Sequence, residues 1–209
     1  MNKQMWPRLG AVSGILFVVL LMGGESVPVG ERAGSVAAML GLIFFIPFLG
    51  YLFGVLRRAE AGEGWLSATA FGAGLVAFAM KFESGALMIA SRGFGVRGLG
   101  DGTQTKDALI AINNASFMIG LALLGVMVAA ASAVIIKTGV LPVWLGWAGI
   151  LTGGALIINS TFLGADFGPA FLLFLLWTVL TSALLTRRAG AARDEGIASP
   201  ESVGAEPVR

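Results

Sequence analysis

The sequence of 209 residues contains no cysteine and no histidine, and only 12% of its residues are charged. Without cysteine there are no disulfides, thiol nucleophiles or thiolate metal sites. Without histidine the chain lacks the commonest general base and the commonest imidazole metal ligand. These absences exclude a Ser-His-Asp triad, an imidazole zinc site and a His-ligated haem, and we expect no cofactor. The net charge of +2 comes from few charges, so nothing in the sequence indicates nucleic-acid binding.

Apolar side chains are in excess and make up 56% of the chain, whereas soluble domains average about 45–50% apolar and about 25% charged residues. Six stretches of 16 to 29 residues between charged positions contain no charged side chain. A helix needs about 20 residues to cross a hydrocarbon core about 30 Å thick. The sequence therefore predicts an all-α polytopic membrane protein, in which one domain (1–187) is a bundle of six transmembrane helices. The predicted helices are 8–24, 35–56, 64–90, 108–136, 142–160 and 168–187.

The two ends of the chain need separate interpretation. The first apolar stretch follows a basic start, which is also typical of a cleaved signal peptide. The residues after it form a poor small-residue cleavage site, so we expect an uncleaved first helix. Residues 188–209 are rich in alanine, glycine, glutamate, proline and serine. Because they lack the apolar side chains that offset ordering entropy, we expect a disordered cytoplasmic tail.

Lysine and arginine flank the predicted helices unequally. Nine of them lie on the side that carries both termini, and four lie on the other side. The positive-inside rule therefore places both termini in the cytoplasm of a multi-pass protein of the plasma membrane. Tryptophan prefers the headgroup level, and four tryptophans fall at the cytoplasmic ends of the first, third and fifth helices: Trp6, Trp65, Trp144 and Trp147.

Polar side chains gather at the predicted outer ends of the helices. A rise of about 1.5 Å per residue places Lys81 about 24 Å and Glu83 about 27 Å from the inner face of a core about 30 Å thick. Such residues are either solvated side chains at the interface or part of an outward-facing binding pocket. The asparagines at this level are alternatively links between helices. The candidate pocket consists of Lys81, Glu83, Asn113, Asn114, Asn159 and Asp166.

Pro47 lies at mid-depth, about 15 Å from the inner end of the second helix. Proline interrupts the backbone hydrogen-bond ladder, so we expect a kink there. Tyr51 and Thr178 lie at depths from which they could satisfy the freed carbonyl. A broken helix is also how many transporters build a site, but no charge lies beside this one and the midplane is otherwise apolar. The lack of a carboxylate chain argues against a proton-coupled carrier.

Small residues recur at a spacing that lets helices approach closely. We interpret this G-x-x-x-G spacing as packing within the bundle, with homodimerisation as the alternative. The three pairs are Gly10-Gly14, Gly50-Gly54 and Gly149-Gly153.

The segment KTGVLPVWLGWAGI (137–150) is the most specific stretch of the sequence. It resembles a segment between the fourth and fifth helices of a family of six-helix bacterial, mainly actinobacterial, integral membrane proteins. That family is a domain of unknown function, so the resemblance implies a membrane fold and supplies no site residues. Physically, the segment predicts a tight turn in which Thr138-Gly139 ends one helix and Pro142 opens the next. The matching residues are Thr138, Gly139, Leu141, Pro142, Trp144, Leu145, Gly146 and Trp147.

Three classes of function remain. We expect an accessory or structural membrane component that acts through lipids or protein partners, a homo-oligomer being one such arrangement. The alternative is a transporter or channel for a small neutral or apolar solute. A membrane enzyme is the weakest class, because catalysis without histidine or cysteine would rest on Lys81, Glu83 and Asp166. A water-filled cavity running past Pro47 would favour transport, and a dry centre would favour the accessory role.

Overall fold

A computed structural model describes residues 5–25, 32–91, 103–163 and 168–197. Within these ranges the chain forms six α-helices and no strand, which confirms the predicted all-α fold. A five-residue π-helical turn, Asn159–Leu163, directly continues the fifth helix. The helices are α1 (Met5–Glu25), α2 (Arg32–Glu60), α3 (Trp65–Ser91), α4 (Thr103–Thr138), α5 (Val143–Ile158) and α6 (Gly168–Ile197).

The helix surfaces are apolar enough for a membrane. Five of the six described helices are long and apolar enough to cross one, while α1 has a shorter apolar stretch, Leu9–Gly24. Large apolar side chains are exposed on the outside of the bundle, among them Val19, Ile43, Val76 and Leu151. Such a surface is a liability in water and suits contact with lipid. The described helices therefore have the length and composition that suit a membrane.

The bundle has two distinct ends. Neighbouring helices run antiparallel, and the most extensive packing joins α1 to α2, α3 to α4, and α4 to α5. Short connections, residues 61–64 and 139–142, lie at one end, which we name the turn end. We name the opposite end, where α3 ends and α4 begins, the loop end. α1 starts and α6 finishes at the turn end.

Glu60 closes the connection between α2 and α3. Its carboxylate accepts hydrogen bonds from the backbone N–H groups of Leu66 (3.2 Å) and Ser67 (2.9 Å). The Ser67 hydroxyl donates to the same carboxylate at 2.5 Å. The first N–H groups of a helix have no partner within it, and a negative charge there is favourable. Glu60 therefore serves as the N-terminal cap of α3, although it lies five residues before the helix begins at Trp65.

The backbone of the same turn depends on glycine. Gly62 and Gly64 both have φ of 64°, and Ala61 has φ of 50°. This left-handed region is rarely occupied by residues with a side chain. A Cβ at Gly64 would lie 2.5 Å from the guanidinium of Arg57, which donates to the Gly62 carbonyl at 3.1 Å. The Arg57 side chain thus packs against the backbone of this turn.

The connection between α4 and α5 forms the tight turn predicted from the sequence. Gly139 has φ of 63° and its N–H bonds to the Ile135 carbonyl, which ends α4. Pro142 immediately precedes the first residue of α5. The Arg188 guanidinium donates to the Val140 carbonyl and so ties α6 to this turn.

α6 is longer than predicted. It continues to Ile197, so residues 188–197 are helical where we expected a disordered tail. Ala189, Ala191 and Ala192 follow Arg188 in this segment, and alanine is the best helix former. Because α6 is already formed, adding residues to it needs no new nucleation. Residues 198–209 lie outside the described residues.

α2 continues through Pro47, and the ring of this proline is exposed. A Cβ at Gly10 of α1 would lie 3.4 Å from the Pro47 carbonyl oxygen and 2.7 Å from Tyr51 Cβ. α1 thus approaches α2 closely beside the proline. The suggested hydrogen bond from Thr178 is not formed, because its hydroxyl has no partner in the described part of the chain. The kink itself stays a prediction.

Two of the three G-x-x-x-G pairs pack inside the bundle. A Cβ at Gly14 would lie 2.1 Å from the Ser182 hydroxyl, and one at Gly149 would lie 1.9 Å from the Ser132 hydroxyl. By contrast, a Cβ at either Gly50 or Gly54 would meet no described atom within 4 Å. The first and third pairs are therefore explained by intramolecular packing, whereas the second lies on an open face of α2.

Candidate functional site

A cavity opens within the loop-end half of the bundle. The space between atoms around it, with its open side included, is about 460 Å³. Thirteen described residues of α1, α2, α3, α4 and α6 line it, and twelve of them are apolar. Because aromatic rings dominate this lining, we name it the phenylalanine cavity. Its rings are those of Phe17, Phe45, Phe78, Phe117, Phe171 and Phe174.

The rings on one side of the cavity support one another. Phe17 and Phe45 have ring centroids 5.0 Å apart, and each lies 6.3 Å from Phe174. Phe78 stacks on Phe45 at 6.2 Å. These separations are those of favourable aromatic pairs, and Phe17, Phe45 and Phe174 are at most 4% exposed. The wall is therefore preformed by packing between α1, α2, α3 and α6.

Lys81 is the one charged side chain among the described residues that line the cavity. It is half-buried, and its ammonium lies 4.3 Å from the ring centroid of Phe117. That distance is typical of a cation–π interaction. α3 thus places a positive charge beside an otherwise apolar cavity, and α4 supplies the ring that holds it.

The α3–α4 interface changes from apolar to polar toward the loop end. Gly120 faces Ala77, since a Cβ on Gly120 would lie 3.6 Å from the Ala77 carbonyl oxygen. Lys81 meets Phe117 one turn further along. Beyond it, the Ser84 hydroxyl donates to the Asn113 side-chain oxygen at 2.7 Å. The cavity therefore lies beside a graded interface whose polar part is nearest the loop end.

The six predicted pocket residues have different surroundings. Lys81 lines the phenylalanine cavity, whereas Glu83 is exposed. Asn113 is buried between α3 and α4, and its amide donates to the oxygen of exposed Asn114 at 3.2 Å. A hydrogen bond thus links Asn113 to Asn114.

The last two predicted residues follow α5. Asn159 begins the π-helical turn and is buried, and its amide nitrogen has no hydrogen-bond partner among the described residues. Asp166 lies outside the described residues. A pocket shared by all six residues stays a prediction. In the ranges that the structure describes, no group of three carboxylates comes close enough to hold a metal ion.

The turn-end half contains hydroxyl groups where we expected an apolar midplane. Thr178 follows Phe174 by one helical turn, and its hydroxyl is buried without a hydrogen-bond partner in the described chain. Three further hydroxyls share this condition: those of Ser132, Thr181 and Ser182. Buried polar groups without partners are costly. The interior below the cavity is therefore uncharged but not purely apolar.

Sequence reasoning missed the aromatic cavity and the partner of Asn113. The phenylalanines are spread over five helices, so no local motif joins them. Ser84 could have been found by treating α3 and α4 as antiparallel neighbours. When two helices pack antiparallel, the two residue numbers of each contacting pair add up to nearly the same value. The pairs Lys81–Phe117 and Ser84–Asn113 follow this rule.

The described residues thus form an all-α bundle of apolar helices with an aromatic-lined cavity open on one side. Comparison with known proteins adds no relative: no family model, no curated protein and no solved structure matches this chain. The resemblance of residues 137–150 to a family of six-helix membrane proteins therefore stays a prediction.

Proposed function

We propose that this chain crosses the plasma membrane six times, with both termini in the cytoplasm, and acts as an accessory membrane component through a lipid partner. In this proposal the phenylalanine cavity holds the hydrocarbon chain of that lipid. The orientation is supported by the basic residues of the described turn end, which the positive-inside rule assigns to the cytoplasm. They are Arg57, Arg58, Lys137, Arg187 and Arg188.

The lining of the cavity is the observation that carries the proposal. Twelve of its thirteen described lining residues offer only apolar atoms to an occupant. A polar solute would lose its hydration there without gaining hydrogen bonds. A hydrocarbon chain has no hydrogen bonds to water to lose, and it gains contact area with six aromatic rings. The surrounding membrane supplies such chains at high local concentration.

Filling the cavity tests the proposal. Ala77 lines the cavity and is 2% exposed, whereas Ala79, two residues along the same helix, is exposed on the other side. We expect Ala77→Phe to lower the affinity of the purified protein for radiolabelled hexadecanol by at least about tenfold, because the new ring occupies the chain's space. Ala79→Phe introduces the same ring outside the cavity and should leave affinity unchanged.

Enlarging the cavity gives a second measurement with its own control. Phe78→Ala removes a lining ring, while Phe71→Ala removes a ring of α3 that lies 4.9 Å from Phe53 and does not line the cavity. Altered hexadecanol affinity in the first variant alone supports the proposal. Equal binding by wild type and by Ala77→Phe, with both proteins folded, would exclude the cavity as the site.

The alternative, a transporter or channel for a small neutral or apolar solute, is favoured by one observation. The unpartnered hydroxyls of Thr178 and Ser182 continue from the cavity toward the turn end. If they line a path, proteoliposomes should take up glycerol faster than protein-free vesicles, and Ser182→Val should slow that uptake. Uptake equal to that of protein-free vesicles would contradict glycerol transport and favour the accessory role.

A further inference from the structure

The two ends of the bundle differ in charge. Among the side chains that the structure describes, the loop end carries two basic and two acidic residues, whereas the turn end carries five basic and two acidic ones. The charged residues of the loop end are Lys81, Glu83, Lys106 and Asp107, and those of the turn end are Arg57, Arg58, Glu60, Glu63, Lys137, Arg187 and Arg188. The described turn end therefore has a surplus of positive charge that the described loop end lacks.

This surplus is only partly answered by neighbouring groups. Glu60 is buried, and its carboxylate accepts hydrogen bonds from the first N–H groups of α3. Lys137 lies close enough to Glu60 for an electrostatic interaction, but it remains exposed. Arg58 and Arg187 are exposed too, and neither has an ion pair or hydrogen bond within the described part of the chain. Charged groups at the turn end are thus open to a partner from outside.

The α4–α5 turn gathers three of the basic residues at one corner of the bundle. Lys137 lies in the last turn of α4, and Val140 follows three residues later. Because successive Cα atoms are about 3.8 Å apart, the Cα atoms of these two residues lie within about 11 Å. The Val140 carbonyl accepts a hydrogen bond from Arg188, and Arg187 precedes Arg188 on α6. We name Lys137, Arg187 and Arg188 the basic corner.

The outer face of α5 continues from this corner along the membrane. Trp144 and Trp147 lie in the first turn and a half of α5, and both are more than half exposed. Leu151, one turn further, is more exposed still. Spacings of three and four residues put these side chains on one face of the helix. Indoles favour the headgroup level and leucine the hydrocarbon core, so charge, indole and leucine follow the order of phosphate, glycerol and acyl chain in a phospholipid.

Charge distinguishes between phospholipid headgroups. Each lysine or arginine near a membrane surface adds to the attraction for anionic headgroups, and basic pockets between helices on the cytoplasmic side bind them. Arginine also bonds a phosphate through two parallel N–H groups. A zwitterionic headgroup carries its own cation, which the basic residues repel. The corner therefore suits a lipid with a net negative charge.

We propose that the basic corner binds the headgroup of an anionic phospholipid of the cytoplasmic leaflet, with an acyl chain along the Trp147–Leu151 face of α5. This inference rests on the part of the proposed function that puts the helices across a membrane, and is independent of what fills the phenylalanine cavity. It adds a second lipid site, on the outside of the bundle and at the opposite end, and the charge of its ligand.

Fluorescence quenching by brominated lipids reports which lipid lies beside the tryptophans of α5. The full chain carries Trp6→Phe and Trp65→Phe, so its emission comes from Trp144, Trp147 and the buried Trp177. It is reconstituted in dioleoyl phosphatidylcholine with increasing fractions of either dibrominated phosphatidylglycerol or dibrominated phosphatidylethanolamine. We expect the phosphatidylglycerol to bind at least about fivefold more strongly, the gain from one basic residue near an anionic surface.

Charge-removing substitutions locate the effect. Lys137→Gln combined with Arg187→Gln removes two charges of the basic corner and leaves the Arg188 hydrogen bond to the turn in place. The two brominated lipids should then bind this double variant about equally, because most of the local attraction is gone. Lys106→Gln removes an exposed positive charge at the loop end and should keep the preference. Persistence of the full preference in the double variant would overturn the assignment to this corner.

The same measurements separate failure of this inference from failure of the proposed function. Equal binding of the two brominated lipids to the unsubstituted corner would overturn the inference and leave a membrane-spanning chain intact. No quenching by either lipid would show that the tryptophans of α5 do not face a bilayer, and so would contradict the proposed membrane crossing too. Relief of phosphatidylglycerol quenching by added glycerol 3-phosphate would identify a soluble phosphate compound as the occupant and contradict the assignment to a lipid.

Discussion

The two halves of the bundle are built differently. In the turn-end half, side chains and backbone meet closely: Gly14 faces Ser182, Gly149 faces Ser132, and Arg188 bonds to the α4–α5 turn. In the loop-end half, α1, α2, α3, α4 and α6 leave an aromatic-lined space. The turn-end half therefore fixes the helix positions, while the loop-end half has room for an occupant.

The largest predicted effect concerns the close contact of α5 with its neighbours. A Cβ at Gly149 would lie 1.9 Å from the Ser132 hydroxyl and 2.6 Å from the Trp177 indole nitrogen. We therefore expect Gly149→Ala to lower the free energy of unfolding by about 2 kcal/mol through overpacking. Unfolding in mixed micelles measures it.

Two other glycine substitutions serve as controls. Gly154→Ala lies on the same helix, where a Cβ would meet no described atom within 4 Å, and should change stability little. Gly120→Ala lies beside the cavity, where the Cβ would have an ordinary contact at 3.5 Å with Met80. If Gly120→Ala were as harmful as Gly149→Ala, the two halves would not differ in tightness.

A smaller effect is expected at the α2–α3 turn. Glu60→Gln keeps one acceptor oxygen but replaces the other with an amide donor that faces donors. We expect a loss of about 1 kcal/mol in the free energy of unfolding, less than the full value of a charged hydrogen bond. Glu63→Gln, an exposed position of the same turn, is the control. Equal losses at the two positions would mean that the cap contributes nothing specific.

The smallest predicted effect is in the loop-end half. A double-mutant cycle with Ser84→Ala and Asn113→Leu should give a coupling energy of about 0.6 kcal/mol, the average for hydrogen bonds between membrane helices. This small coupling fits a loop-end half held by weaker contacts. A coupling energy larger than the loss of stability in Glu60→Gln would contradict the view that weaker contacts hold the loop-end half.

The sequence predicts the fold well because length and hydropathy act locally. Uncharged stretches bounded by charges place all six helices, and the Thr138-Gly139 and Pro142 signals locate the α4–α5 turn correctly. The prediction of disorder at residues 188–197 was wrong for a local reason too. It relied on the polar composition of the segment, whereas its alanines favour continuation of α6.

The site is less predictable because it depends on which helix faces touch. Depth along each helix placed Lys81 and Glu83 at the same level, but depth says nothing about rotation around the helix axis. Glu83, two residues away, is exposed for that reason. The six phenylalanines meet only through the arrangement of five helices, which periodicity within one helix does not specify.

The position of a heavy-atom-labelled ligand would show directly whether the loop-end cavity holds a hydrocarbon chain. Crystals of the protein grown with a dibrominated stearate would locate the bromine atoms by anomalous scattering. We expect bromine density between Phe45, Phe78 and Phe174. Bromine found only against the exposed side chains of Ile43 and Ile46, with the cavity empty, would contradict it.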